Sequence, residues 1–185
     1  MTFQIKKQIL IGFAIVATLF ACGDTEDLYS RHFCRLFFDN SIYNDATLAT
    51  AMTPNSGAFV TITIVGKQYV FTSNQGLSSK VNITAKEEQM VAVLGMNNGI
   101  IVGYGTSIPS KFYAYDRECP NCFDVNALPV RSYKLTVSDF GTATCAHCHR
   151  QYNMNNGGMV SKGDNGKKLT LYYATTTGPY GKLNI

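Results

Sequence analysis

Residues 58–65 read AFVTITIV, with Val60, Ile62 and Ile64 on one face and Thr61 and Thr63 on the other. This period of two predicts a half-buried β-strand. Gly66-Lys67 separates it from QYVF at 68–71, and a glycine at the first turn position suits a type II′ hairpin. A second unit occupies residues 91–104, where Asn97-Asn98-Gly99 sits between two apolar runs and tolerates positive φ. Further strands are expected at residues 112–115, 133–137, 169–174 and 182–185. Helical signals are few: residues 46–52 allow two turns, and Thr84-Ala85-Lys86-Glu87 has the spacing of a capping box. Short strands broken by Gly, Asn and Ser turns predict an all-β fold, an antiparallel sandwich or barrel.

The N-terminal end departs from this pattern. Lys6 and Lys7 precede an uncharged apolar run over residues 9–21, the layout of an export signal and too short to span a bilayer, which takes about 20 apolar residues. The run ends in Leu19-Phe20-Ala21-Cys22, which resembles the lipobox of bacterial lipoproteins, with Phe20 bulkier than the usual occupant. The resemblance implies cleavage before Cys22, acylation of that cysteine, and a protein held in the cell envelope, at the outer membrane, by its lipid. Asp24, Glu26 and Asp27 then make residues 22–30 an acidic tether similar to those of surface-exposed lipoproteins in Bacteroides-type bacteria. Residues 31–185 are left as one domain, long enough for a substantial core. Removing residues 1–21 takes away two of the 16 basic residues and none of the 12 acidic ones, so the processed chain carries about +2. That charge offers no footprint for nucleic acid.

The chemistry lies in the cysteines. Cys119 and Cys122 form CPNC, and Cys145 and Cys148 form CAHC, with 22 residues between the pairs. Two C-x-x-C knuckles can bring four thiolates to tetrahedral spacing, a soft donor set that favours zinc or iron over hard cations. Cys34, between Phe33 and Arg35, reads as a buried thiol among aromatics. Asp116, Glu118 and Asp124 read as loop surface, and the Tyr and Phe scattered through the strands as core.

Around the knuckles, YAYDRECPNCF, TCAHCHRQYNMNNGG and KGDNGKKLTLYYATTTGPYGKLNI resemble the ligand loops, short hairpin and closing strands of a Rieske domain, over residues 112–185. The resemblance implies a Rieske-like antiparallel β domain. Its ligands differ, because a Rieske centre uses C-x-H and C-x-x-H. Asn121 occupies the first histidine position and Cys148 the second, which leaves a four-sulfur set like that of a zinc ribbon or rubredoxin. Structural zinc is the leading expectation, since a closed four-thiolate site needs neither solvent nor a redox partner. Iron, as one ion or an all-cysteine [2Fe-2S] cluster, is the alternative, giving an electron carrier. Disulfides suit an oxidising compartment and would make the chain a disulfide-stabilised binding module. CAHCH also fits the c-type haem pattern, a weaker reading because it leaves CPNC unexplained. His147 and His149 are expected near the sulfurs, facing solvent, as outer partners of the site. No nucleophile with a partnered base and no phosphate-binding loop stands out, so a non-enzymatic protein is expected.

Overall fold

A computed structural model describes residues 28–185. The signal segment, Cys22 and the tether through Asp27 lie outside the described residues. The elements, in order, are β1 (Phe37–Asp39), α1 (Asn40–Tyr43), α2 (Ala46–Ala51), β2 (Phe59–Val65), β3 (Gln68–Ser73), β4 (Ser78–Asn82), α3 (Ala85–Met90), β5 (Ile100–Tyr104) and β6 (Phe112–Asp116). After these come β7 (Leu135–Val137), β8 (Thr142–Cys145), β9 (Gln151–Asn153), a 3-10 turn at Met154–Asn156, β10 (Met159–Lys162), β11 (Leu171–Tyr172), β12 (Thr175–Thr176) and β13 (Lys182–Asn184).

The strands form three antiparallel sheets. A six-stranded sheet runs β11-β6-β5-β2-β3-β4, a four-stranded sheet runs β10-β9-β8-β7, and a three-stranded sheet runs β1-β13-β12. All three are open, so the architecture is layered rather than a closed barrel.

The large sheet separates two cores. Alternation along β2, β5 and β6 sends Val60, Ile62, Ile100, Val102 and Ala114 into one core with Phe38, Leu48, Met52 and Leu183. Phe59, Ile101, Tyr113 and Tyr115 enter the other, with Leu135, Ala143, Tyr152 and Met154. Each fully buried side chain of this size is worth about 1.5–3 kcal/mol, so the four-stranded sheet is held to the large one mainly by apolar burial. This second core also contains Cys119 and Cys145.

The hairpin at Gly66 forms as its sequence predicts, with Gly66 at φ 60 and Val65 opposite Gln68. Both short helices form; α3 carries the full capping box, Thr84 accepting from Glu87 N–H and the Glu87 carboxylate accepting from Thr84 N–H. The unit at 91–104 differs. Only its second run becomes a strand, β5, while Val93 instead exchanges backbone hydrogen bonds with Arg35, both 2.8 Å. Asn98 takes φ 50, and its side-chain amide bonds both Ile64 N–H and Ile64 C=O. It thus ends the loop on the sheet rather than turning a hairpin. The strand expected at 169–174 shortens to Leu171–Tyr172.

Two expectations are corrected. Asp116 and Glu118 are 0% and 1% exposed, not loop surface, because each meets several donors within the fold. Tyr173, in the strand expected at 169–174, is 65% exposed and stands outside both cores.

Candidate metal centre

β6 delivers the first knuckle. Beyond Asp116 the chain continues in an extended course alongside residues 133–135: Leu135 N–H donates to Arg117 C=O (2.8 Å) and Cys119 N–H to Tyr133 C=O (3.0 Å). Cys119-Pro120-Asn121-Cys122 then turns back, with the N–H groups of Cys122 and Phe123 both donating to Cys119 C=O (3.1 and 2.9 Å). Proline suits the second place of such a turn, because its fixed φ is the one required and its missing N–H is not needed there.

The second knuckle closes the β8–β9 hairpin. Cys145 N–H donates to Arg150 C=O (3.1 Å) and His149 N–H to Cys145 C=O (2.9 Å). His149 adopts the left-handed conformation, φ 58, that lets the loop reverse into β9.

These two turns face each other. The sulfurs of Cys119, Cys122, Cys145 and Cys148 lie within 4.8 Å of one another. Two separations between the knuckles are Cys119 Sγ to Cys148 Sγ at 3.7 Å and Cys122 Sγ to Cys145 Sγ at 3.9 Å. A tetrahedral ion with metal–sulfur bonds of about 2.3 Å needs sulfur–sulfur edges of about 3.8 Å. The four cysteines can therefore hold a metal ion. All five described cysteines are free thiols, and these separations exceed the S–S bond of about 2.05 Å.

Cys119 and Cys145 are fully buried, whereas Cys122 and Cys148 are half-buried, so one side of the group approaches solvent. Burial pushes the Cys119 thiol up, against hydrogen bonds from Tyr152 Oη and Asn121 N–H. Burial, followed by the neighbouring Cys148 and Cys119, also pushes Cys122 up. Cys148 goes the other way. Burial opposes its ionisation, but the Arg150 backbone N–H and guanidinium, with Cys122 and Cys145, bring it down from 9.0 to about 6. One thiol is thus prepared to ionise at neutral pH. A divalent cation would supply the charge that the others lack, since coordination deprotonates a thiol outright.

Several outer partners carry no motif in the sequence. Tyr152, buried on β9, places its hydroxyl 3.3 Å from Cys119 Sγ and accepts from Asn121 Nδ2 at 2.9 Å. With Asn121 as the donor, the Tyr152 proton is free to point at the sulfur. Asn121 does not face the sulfur group: its side chain also makes a two-way pair with the Lys167 backbone, both bonds 2.9 Å, tying the first knuckle to the 164–168 loop. Arg150 anchors the far end of that loop through the carbonyls of Asp164 (3.0 Å) and Asn165 (3.2 Å).

Buried Glu118 holds the first knuckle in place. Its carboxylate accepts from Ser132 Oγ (2.7 Å), Tyr133 N–H (2.7 Å) and Asn97 Nδ2 (3.1 Å). His147 and His149 are exposed as expected, and neither joins the sulfur group; His147 stacks on Tyr133 with ring centroids 4.0 Å apart. Cys34 packs half-buried against the first core, where burial raises its thiol to about 11.

The chain matches no protein-family model, no curated protein and no solved structure. What stands on the geometry alone is an antiparallel β protein with a four-cysteine group able to hold one metal ion.

Proposed function

We propose that this chain is an exported, lipid-anchored envelope protein whose C-terminal half binds a single zinc ion through Cys119, Cys122, Cys145 and Cys148. The ion's role is structural, clamping the two knuckle loops. The observation that carries the metal reading is the tetrahedral fit of four sulfurs contributed by two facing turns. The compactness of the group favours one ion: the irons of a [2Fe-2S] cluster are spaced by bridging sulfides, which would part the thiolates into two distant pairs. With every ligand position filled by sulfur, no place is left for an activated water, which argues against hydrolytic chemistry. The lipid anchor rests on the signal-like run and Cys22.

The Rieske-like reading of residues 112–185 draws support from two ligand loops at one end of a small antiparallel sheet that lies against a larger one. A second reading, a mono-iron electron carrier, is favoured by the hydrogen bonds from Tyr152 and Asn121 to Cys119 and from Arg150 to Cys148. Bonds of this kind tune an iron–thiolate potential.

Metal analysis and the absorption spectrum of protein purified from its own host separate these readings. One zinc per chain and no visible absorption are expected. Bound iron with visible bands overturns zinc in favour of the carrier, cystines in place of metal support a disulfide-stabilised module, and a covalent haem stain lost in Cys148→Ser supports the haem reading.

A further inference from the structure

We infer that the face around Leu28, Tyr29, Met159 and Tyr173, beside Lys111, lies against the lipid bilayer and sets the orientation of the anchored domain.

This inference rests on the acylation of Cys22. Cys22 is six residues from Leu28, and an extended chain advances about 3.4 Å per residue. The body at Leu28 therefore lies within roughly 20 Å of the lipid headgroups. Where the tether leaves the body is fixed, because Ser30 N–H donates to Leu171 C=O at 2.7 Å, on edge strand β11 of the large sheet.

The surface at that exit has the composition of a bilayer contact. Leu28, Tyr29, Met159 and Tyr173 are 57%, 41%, 56% and 65% exposed. Tyr29 and Tyr173 meet edge to face at 5.5 Å, so the two rings form one patch. Leu28, Tyr29, Met159, Lys111 and Lys168 line a single groove of about 490 Å³. Tyrosine places an apolar ring and a polar hydroxyl at the level of lipid headgroups. Lys111, exposed beside the rings, can lay its stem along such a surface while its ammonium reaches the headgroups. Apolar groups scattered singly would need no explanation, but a contiguous apolar patch at the exit of a lipid tether does.

The chain contains no tryptophan, so a single introduced indole reports its own surroundings. Tyr173→Trp and, as a second variant, Tyr29→Trp place it in the patch. Leu77→Trp serves as the control, at the exposed turn preceding β4. β4 is the opposite edge of the six-stranded sheet, five strand spacings or roughly 24 Å from β11. Each full-length variant is purified in its processed form, its mass is measured for the lipid increment, and it is reconstituted into vesicles of phosphatidylethanolamine and phosphatidylglycerol with brominated acyl chains.

The expected result is a blue-shifted emission and several-fold stronger quenching for Tyr173→Trp and Tyr29→Trp than for Leu77→Trp. Quenching no stronger in the patch than at Leu77→Trp, in acylated protein, overturns the orientation and leaves the anchor standing. An unacylated protein overturns both. A patch indole that is unquenched but shifts its emission when Asp24, Glu26 and Asp27 are neutralised assigns the groove to the acidic tether and also overturns the inference.

Discussion

Cys148 is set apart by its sulfur, which accepts from the Arg150 backbone N–H and guanidinium; these, with Cys122 and Cys145, hold the thiol down to about 6 against the opposing effect of burial. A depressed folded value favours the thiolate. The contribution is fully present above the ordinary 9.0 and is lost as pH falls through about 6. In metal-free, reduced protein at pH 7, iodoacetamide should therefore label Cys148 ahead of Cys119 and Cys122, whose thiols are pushed up. Peptide mapping by mass spectrometry reads the order; uniform labelling of the four would contradict this account of the site. Loaded metal should protect all of them. The same sulfurs make a second prediction. A site absent from the unfolded chain contributes its binding energy to folding, on the order of 10 kcal/mol for structural zinc. Cys119→Ser and Cys145→Ser should each lower the melting temperature nearly as far as the double variant, because three ligands leave an open, hydrated site. A chelator should destabilise the unmodified protein and leave the double variant unchanged. Melting of all three like the unmodified chain, with no chelator effect, would mean no structural metal; sensitivity to reductant alone would mean disulfides.

Among the elements, β2, like β5 and β6, contributes side chains to both cores. Val60 and Ile62 face the first core, and Phe59 points the other way into the second. The Phe59 ring lies on bare backbone: a Cβ at Gly103 would come within 2.7 Å of it, and one at Gly141 within 2.8 Å. Gly141 belongs to the turn between β7 and β8 and sits at φ 69, so a glycine is required there on two grounds. Phe59 therefore presses the large sheet onto the hairpin that carries Cys145. Phe59→Ala should cost about 3–5 kcal/mol in urea unfolding and make metal release to a chelator faster. A cost below about 1 kcal/mol would mean that the two layers hold together without it. Glu87 has a comparable position on the other side, since its carboxylate closes the α3 capping box and also accepts from Tyr43 Oη at 2.6 Å.

For the molecule as a whole, the consequential expectation concerns residues outside those described. Among the described residues no helix is long and apolar enough to cross a membrane, and a lipid anchor would attach the domain without one. Two or three acyl chains hold a protein firmly where one does not. The membrane fraction should yield a chain beginning at Cys22 and heavier by the lipid, and Cys22→Ser should remain as uncleaved precursor. Normal processing of that variant would remove the anchor from the model of function.

The order of residues by itself determined what depends on near neighbours. The β2–β3 hairpin follows from alternation and one glycine, α3 from a Thr and a Glu three positions apart, and the candidate four-cysteine group from two C-x-x-C turns. β4 left little trace, because an edge strand pairs on one side and needs no apolar alternation: SSKVN is enough. Tertiary structure alone decided which polar groups went inside. Glu118 and Asp116 look like solvated loop carboxylates until Ser132, Tyr133, Asn97, Met96 and Tyr172 converge on them from segments 14 to 56 positions away. Tyr152 likewise becomes a partner of Cys119 only because β9 is laid beside β8 and its inward face meets the first knuckle. Burial of a charge or a hydroxyl is favourable only where its donors and acceptors are in reach, and that reach is a property of the packed layers rather than of any local run of residues.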